Sequence, residues 1–122
     1  MEWTVRLHDA FEPEFEALPI AVQDELLARA KVLARIGPTL GRPLIDTLAG
    51  SKHVNMKEMR FDAADGVWRV AFAFDPTRSA ILLVAGDKSG VSQKRFYRSL
   101  IERADSRFDG HLATLRSLEK ET

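Results

Sequence analysis

Residues 55–100 read NMKEMRFDAADGVWRVAFAFDPTRSAILLVAGDKSGVSQKRFYRSL, and the reading of this stretch decides the fold. Three strands in succession, joined by tight turns and followed by a helix, account for it. In Val67 to Phe74, Trp68, Val70, Phe72 and Phe74 share one face. Val67, Arg69, Ala71 and Ala73 share the other, because side chains alternate along a strand. Asp65-Gly66 supports a hairpin turn before this strand, and Asp75-Pro76-Thr77-Arg78 a second turn after it. Ile81 to Ala85 is continuously apolar, the pattern of a central strand buried on both faces. The strand before the hairpin is expected over Lys52 to Phe61. Gly86 to Gly90 reads as a loop, and Ser92 as the cap of a helix from about Gln93 to Arg107, with Phe96, Leu100, Ala104 and Phe108 inward.

Working outward, Trp3 to Leu7 alternates apolar and polar residues and predicts a first strand. Asp9 can cap a short helix over Ala10 to Leu18, with Pro13 in its first turn. Ile20 to Ile36 carries Val22, Leu26, Leu27, Ala30, Leu33 and Ala34 at helical spacing, and Gly37-Pro38 ends it. Thr39 to Ser51 reads as an irregular connection. The order β-α-α-β-β-β-α predicts an α+β protein, with two N-terminal helices packed on a small, mainly antiparallel sheet and a C-terminal helix. A single domain is expected over residues 1–118, with 119–122 as a frayed tail.

Bulk properties narrow the chemistry. The 122 residues are 45% hydrophobic and 30% charged, ordinary for one globular domain. The chain has no cysteine, which removes disulfides, thiolate nucleophiles and zinc-thiolate sites. His8, His53 and His111 lie far apart and read as surface or turn residues, so no metal and no cofactor is expected. No apolar run approaches the roughly 20 residues of a membrane helix. The N-terminus lacks the apolar core of a signal peptide, so no membrane association and a cytoplasmic location are expected. Net charge is zero, against indiscriminate nucleic-acid binding. The distribution is uneven: residues 1–51 hold five Lys/Arg against eight Asp/Glu, and residues 52–116 hold twelve against eight. An anionic partner should therefore meet the second part.

The cations Lys57, Arg60, Arg69, Lys88, Lys94 and Arg95 interrupt segments that otherwise look like core. Arg69 stands beside Ala71 and Ala73, small neighbours expected to leave its guanidinium accessible, and Arg60 is its candidate cross-strand neighbour. Lys57 and Arg60 have opposite parity and share a face only if a bulge intervenes. Lys94 sits at a helix N-terminus, where the dipole favours acids, so it suggests an external anion. The simpler account is an internal ion pair of Arg60 or Arg69 with Glu58 or Asp87. Were the anion RNA, such cations could stabilise the charge that develops when a 2′-OH attacks the adjacent phosphate, and Tyr97 could bond the phosphate or stack on a base.

The segments Lys57-Glu58-Met59-Arg60-Phe61, Gly66-Val67-Trp68-Arg69-Val70, Ala71 to Pro76, Ile81-Leu82-Leu83, Gly86-Asp87-Lys88 and Lys94-Arg95-Phe96-Tyr97, in this order, resemble the RelE/ParE toxin superfamily. Within it the resemblance is to the HigB-like branch, the phage-derived Gp49-like proteins. The resemblance implies a RelE-like fold and a toxin of a type II toxin–antitoxin module, a ribosome-dependent, metal-independent mRNA endoribonuclease. It implies Arg60 and Arg69 on phosphate with Lys57 and Lys88 as further catalytic cations, and Lys94, Arg95 and Tyr97 as RNA-binding. The implied partners are mRNA on the ribosome and a cognate helix-turn-helix antitoxin in a hetero-oligomer. Two alternatives stay open: a ParE-like toxin that inhibits DNA gyrase, and a non-catalytic antitoxin-binding domain.

Overall fold

The computed structural model describes residues 2–121. The elements are β1 (Thr4–Leu7), α1 (Phe11–Glu16), α2 (Ile20–Ile36), a short 3-10 turn (Gly37–Thr39), β2 (Ile45–Thr47), β3 (Met56–Ala63), β4 (Gly66–Phe74), β5 (Ser79–Asp87) and α3 (Gln93–Glu121). The five strands form one sheet in the order β1-β5-β4-β3-β2. β1 runs parallel to β5, and the other pairs are antiparallel. The expected α+β architecture holds, with one strand more than the sequence suggested.

Strand parity sorts the sheet's side chains into two cores. Met59, Phe61, Val70, Phe72, Ala80 and Leu82 face α1 and α2, where they meet Phe11, Phe15, Val22, Leu26 and Leu33. Met56, Ala71, Ala73, Ile81, Leu83 and Val84 face α3 and meet Phe96, Leu100, Ala104 and Phe108. β5 lies between β1 and β4, and Ser79 to Val84 is buried throughout. Burial on both faces explains its unbroken apolar run. Between β4 and β5 the register shifts: Ala71 pairs with Val84 but Phe72 with Leu82, which leaves Leu83 as a bulge residue. The bulge's Leu83 carbonyl accepts a hydrogen bond from Arg107 at 2.7 Å, and Arg107 also pairs with Glu14 of α1. A defect in the ladder is thus closed by a side chain of α3.

The structure differs from the sequence reading in several places. The first helix is shorter, Phe11–Glu16, with no side-chain cap from Asp9, and β5 runs on through Gly86 and Asp87, which read as loop. Ile45–Thr47 is a strand, not irregular chain; three residues after Pro43 are too few to show an alternation. β3 begins at Met56, because residues 51–53 are drawn to α3 instead. Ser51 donates to Asp105, and both Lys52 and His53 pair with Asp109. α3 continues past Arg107 to Glu121, so 119–121 are helical, and Thr122 lies outside the described residues. His53 and His111 are also largely enclosed, their side chains 18% and 13% exposed. His111 Nε2 lies 2.7 Å from Asp75 Oδ2, and Asp75 Oδ1 accepts from the backbone N–H groups of Thr77 and Ser79. The Asp75 carboxylate therefore joins the β4–β5 turn to α3.

The β3–β4 hairpin turns on Ala64 and Asp65, both at positive φ (50° and 60°), one residue earlier than Asp65-Gly66. Two consecutive left-handed residues mark a type I′ turn, which matches the strand twist. Alanine in this region costs roughly 1 kcal/mol. Ala64→Asn should therefore raise stability by about 0.5–1 kcal/mol, seen as a Tm higher by a few degrees; an unchanged or lower Tm would contradict the strain.

Burial opposes ionisation of Asp75, but the hydrogen bonds from His111, Thr77 and Ser79 outweigh it and hold the carboxyl below the ordinary aspartate value of 3.8. A group depressed in the folded state contributes stability above its unfolded pKa and loses it as pH falls through the folded value. Denaturant melts should show Asp75→Asn less stable than the parent at neutral pH. The difference should shrink below about pH 4. A gap independent of pH would refute this role.

Candidate functional site

On the α3 side of the sheet, an open cleft of about 630 Å³ lies where β2, β3, the loop after β5 and the first turn of α3 meet. Arg42, Asp46, Glu58, Arg60, Lys88, Lys94 and Tyr97 line it. Parity brings Glu58 and Arg60 to this face together, since both share the alternation of Met56. The register opposes Arg60 to Arg69, as the sequence suggested, and Arg69 to Gly86. Gly86 matters through its lack of a side chain: a Cβ there would lie 2.9 Å from the Phe96 ring. Its absence lets the start of α3 approach the sheet and bring Lys94 and Tyr97 over β3.

Glu58 is the hub. Its side chain is only 8% exposed, Arg69 Nε lies 3.3 Å from Oε1, and Arg60 Nε lies 3.8 Å from the same oxygen. The Tyr97 hydroxyl donates to Oε1 at 2.9 Å. Burial and this bond to Glu58 push the Tyr97 pKa up, with Arg69 opposing. The Tyr97 hydroxyl proton is committed to Glu58, and the residue lines the cleft. Lys88 sits with its ammonium 6.0 Å from the centre of that ring.

Arg69 corrects an expectation. Its side chain is 7% exposed, not open to a ligand, because α3 closes over the small residues beside it. Nη1 donates to the Trp68 carbonyl at 2.8 Å, while Nε has no hydrogen-bond partner among the described residues. The internal ion pair with Glu58, considered from the sequence, is what forms. Arg60 is different: its side chain is 35% exposed, and it opens into the cleft.

Lys57 lies apart from the cleft. The β3–β4 register runs without interruption from Met56 to Ala63, so no bulge rescues its parity and it points to the α1/α2 side with Met59 and Phe61. Arg95 lies apart as well. One residue along a helix turns about 100°, and Arg95 lines a groove beside Ala85, Gly86 and Ser99. The residues brought together are Arg60, Lys88, Lys94 and Tyr97, with Arg69 behind them.

Two contributors escaped the sequence reading. Arg42 and Asp46 lie in the segment read as irregular; Arg42 donates to Asp46 Oδ2 at 3.1 and 2.9 Å, and Arg60 approaches the same oxygen at 3.6 Å. The Arg42 bond and the Thr47 N–H hold the Asp46 carboxyl below the usual range. Their i, i+4 opposite-charge spacing was the available signal, but it is a helix rule applied to non-helical chain.

Removing one partner of a buried pair costs far more than removing a neutral hydrogen bond. Glu58→Gln should lower unfolding stability by about 3–5 kcal/mol, since Arg69 keeps its charge without its counter-ion. Tyr97→Phe, which leaves that pair whole, should cost about 1.5–3 kcal/mol. Urea titrations of both variants provide the check, and equal losses would show that Glu58 is not the hub.

Residues 13–109 match the family described as phage-derived Gp49-like proteins. Over 89 residues the chain is 46% identical to a Mycobacterium tuberculosis protein named "Putative toxin HigB2", covering 72% of this chain and 44% of that protein. Over 78 residues it is 50% identical to the same organism's "Putative toxin HigB3", covering 64% of this chain and 66% of that one. The chain thus spans less than two thirds of the length of either relative. Among solved structures, the crystal structure of the archaeal RelE–RelB complex from Pyrococcus horikoshii OT3 superposes with a TM-score of 0.54 at 17% identity, over 75% of this chain and 100% of that one. That likeness speaks to the fold alone. A match across residues 13–109 and HigB-named relatives place the chain: it belongs to the phage-derived Gp49-like family, on a RelE-like fold.

Proposed function

We propose that this chain is the toxin of a toxin–antitoxin module and acts as a ribosome-dependent mRNA endoribonuclease that halts translation and growth. The observation that carries the reading is the open cleft lined by Arg60, Lys88, Lys94 and Tyr97, with Lys88 over the Tyr97 ring. The HigB names of its relatives support the toxin reading. The RelB chain beside the archaeal RelE supports an antitoxin partner. In this reading the partner is a small helix-turn-helix protein, and the site of action is translated mRNA in the cytoplasm.

The chemistry is attack of a ribose 2′-OH on the adjacent phosphorus. The 2′-OH gives its proton to a base as the 2′-O–P bond forms, and the P–O5′ bond breaks as O5′ is protonated, leaving a 2′,3′-cyclic phosphate on the upstream fragment and a 5′-OH on the downstream one. The phosphorane carries extra negative charge, and preorganised cations stabilise it most when they need not reorganise. Arg60 is the cation held for this purpose, flanked by Glu58 and Asp46. Lys88 and Lys94 hold neighbouring phosphates, and Tyr97 supplies a base-stacking platform. Arg69 touches no RNA and acts as a positioning residue through Glu58. The cations are side chains, so the reading requires no metal or organic cofactor.

The test is to map RNA 5′ ends after a brief pulse of expression, with Arg60→Gln as the control. Arg69 variants are unsuitable, since loss of a buried ion-pair partner threatens the fold. New cuts within translated frames, reduced about 100-fold in the control, are the expected result. Growth arrest without new 5′ ends would move the target to DNA gyrase, and neither arrest nor cuts would leave a non-catalytic binding domain.

A further inference from the structure

Asp46, the acid at the mouth of the cleft, does more than flank Arg60. Asp46 stands on β2 directly opposite Glu58 on β3, and like charges facing across strands are unfavourable. What makes the arrangement tolerable is cationic: Arg60 lies between the two carboxylates, 3.6 Å from Asp46 and 3.8 Å from Glu58. Arg42 also closes on the same Asp46 oxygen, at 2.9 Å. Two guanidinium groups thus converge on one carboxylate oxygen.

The two acids differ in how firmly they are held. Glu58 is enclosed. Asp46 is 28% exposed, and the Arg42 side chain that grips it is 76% exposed. An exposed ion pair contributes little to stability and is easily exchanged. β2 is also an edge strand of three residues. A carboxylate and a phosphodiester share a single negative charge and accept hydrogen bonds from guanidinium in similar geometry.

We propose that Arg42 and Arg60 form a phosphate subsite for single-stranded RNA and that the Asp46 carboxylate occupies it in the free protein, standing in for the phosphodiester that displaces it. This deepens the reading of the cleft as an RNA site and rests on it. Arg42 becomes a substrate-binding residue, and Asp46 a device that keeps two arginines aligned while cancelling their charge. A chain of zero net charge can then discriminate against polyanions that do not reach the subsite.

The experiment measures binding of a fluorescent 2′-O-methyl RNA 12-mer by anisotropy across salt concentrations, a probe that cannot undergo 2′-OH attack. Asp46→Asn removes the charge and keeps an oxygen for the Thr47 N–H, which Asp46 Oδ1 accepts at 2.8 Å. It should bind about fivefold tighter than the parent. Its plot of log affinity against log salt should steepen by up to about 0.7, because in the parent the displaced carboxylate takes up a cation and offsets the release of one counter-ion from the RNA. Adding Arg42→Gln to Asp46→Asn should erase the gain, and a thermal melt monitors folding of each variant. If the parent binds, Arg60→Gln weakens it and folded Asp46→Asn gains nothing, the stand-in proposal falls while the RNA reading survives. If neither the parent nor Asp46→Asn binds, the subsite proposal falls, while the ribosome-dependent reading is decided by the mapped 5′ ends. A lower Tm with unchanged affinity would make Asp46 a structural pin of β2 and overturn the proposal.

Discussion

Arg69 places a guanidinium charge between the sheet and α3 with almost no water around it, and a charge in that position is stable only beside an opposite charge. Glu58 supplies it, 3.3 Å away, and in doing so is brought within reach of Tyr97 from the first turns of α3 and of Arg60 on its own strand. One desolvated pair thereby fixes where α3 begins relative to β3. The exposed cations at the cleft inherit their placement from it. Lys94 and Tyr97 come with the helix, Arg60 with the strand, and Lys88 with the loop that joins β5 to α3.

The rest of α3 is held by contacts of the same kind, distributed along its length. Asp105 and Asp109 hold the chain just before β3, Arg107 answers the bulge carbonyl of Leu83 and the Glu14 carboxylate, and His111 meets Asp75 at the β4–β5 turn. An apolar stripe alone would seat a helix without deciding its exact slide along the sheet. Polar contacts at several successive turns decide it, because each has a narrow range of distance and angle. The apolar core supplies the attraction and the ion pairs supply the registration.

The parts of this protein that could be read from its sequence are those whose pattern is local. α2 runs from Ile20 to Ile36 as its apolar spacing and terminal glycine indicated. The unbroken run from Ile81 to Ala85 identified the strand buried on both faces. Arg60 was the expected cross-strand neighbour of Arg69, and the two do stand opposite, but only because the turn falls on Ala64-Asp65; a turn on Asp65-Gly66 would have set Arg60 against Ala71. What escaped was non-local. A three-residue strand at β2 is defined by its partner. The burial of Arg69 depends on α3 closing over it, which small neighbours do not announce. Lys57 shows where the two kinds of reasoning part: resemblance assigned it to the cleft, while parity along an uninterrupted strand turns it to the opposite face. Arg95 was separated from Lys94 by the turn of a helix, which adjacency in sequence conceals.

The uninterrupted β3–β4 ladder has one further consequence, for how this protein can change over evolutionary time. Each substitution in β3 alters one side chain, but a one-residue insertion or deletion that slips β3 against β4 would exchange the two faces for every residue beyond it. Glu58 and Arg60 would then point at α1 and α2, while Met59 and Phe61 would line the cleft. Cleft and core are written in alternate letters of the same strand, and neither can drift by an odd step without taking the other's place. Length variation among descendants of this sequence is therefore confined to the turns and the connection before β3, and the strand itself evolves by replacement alone.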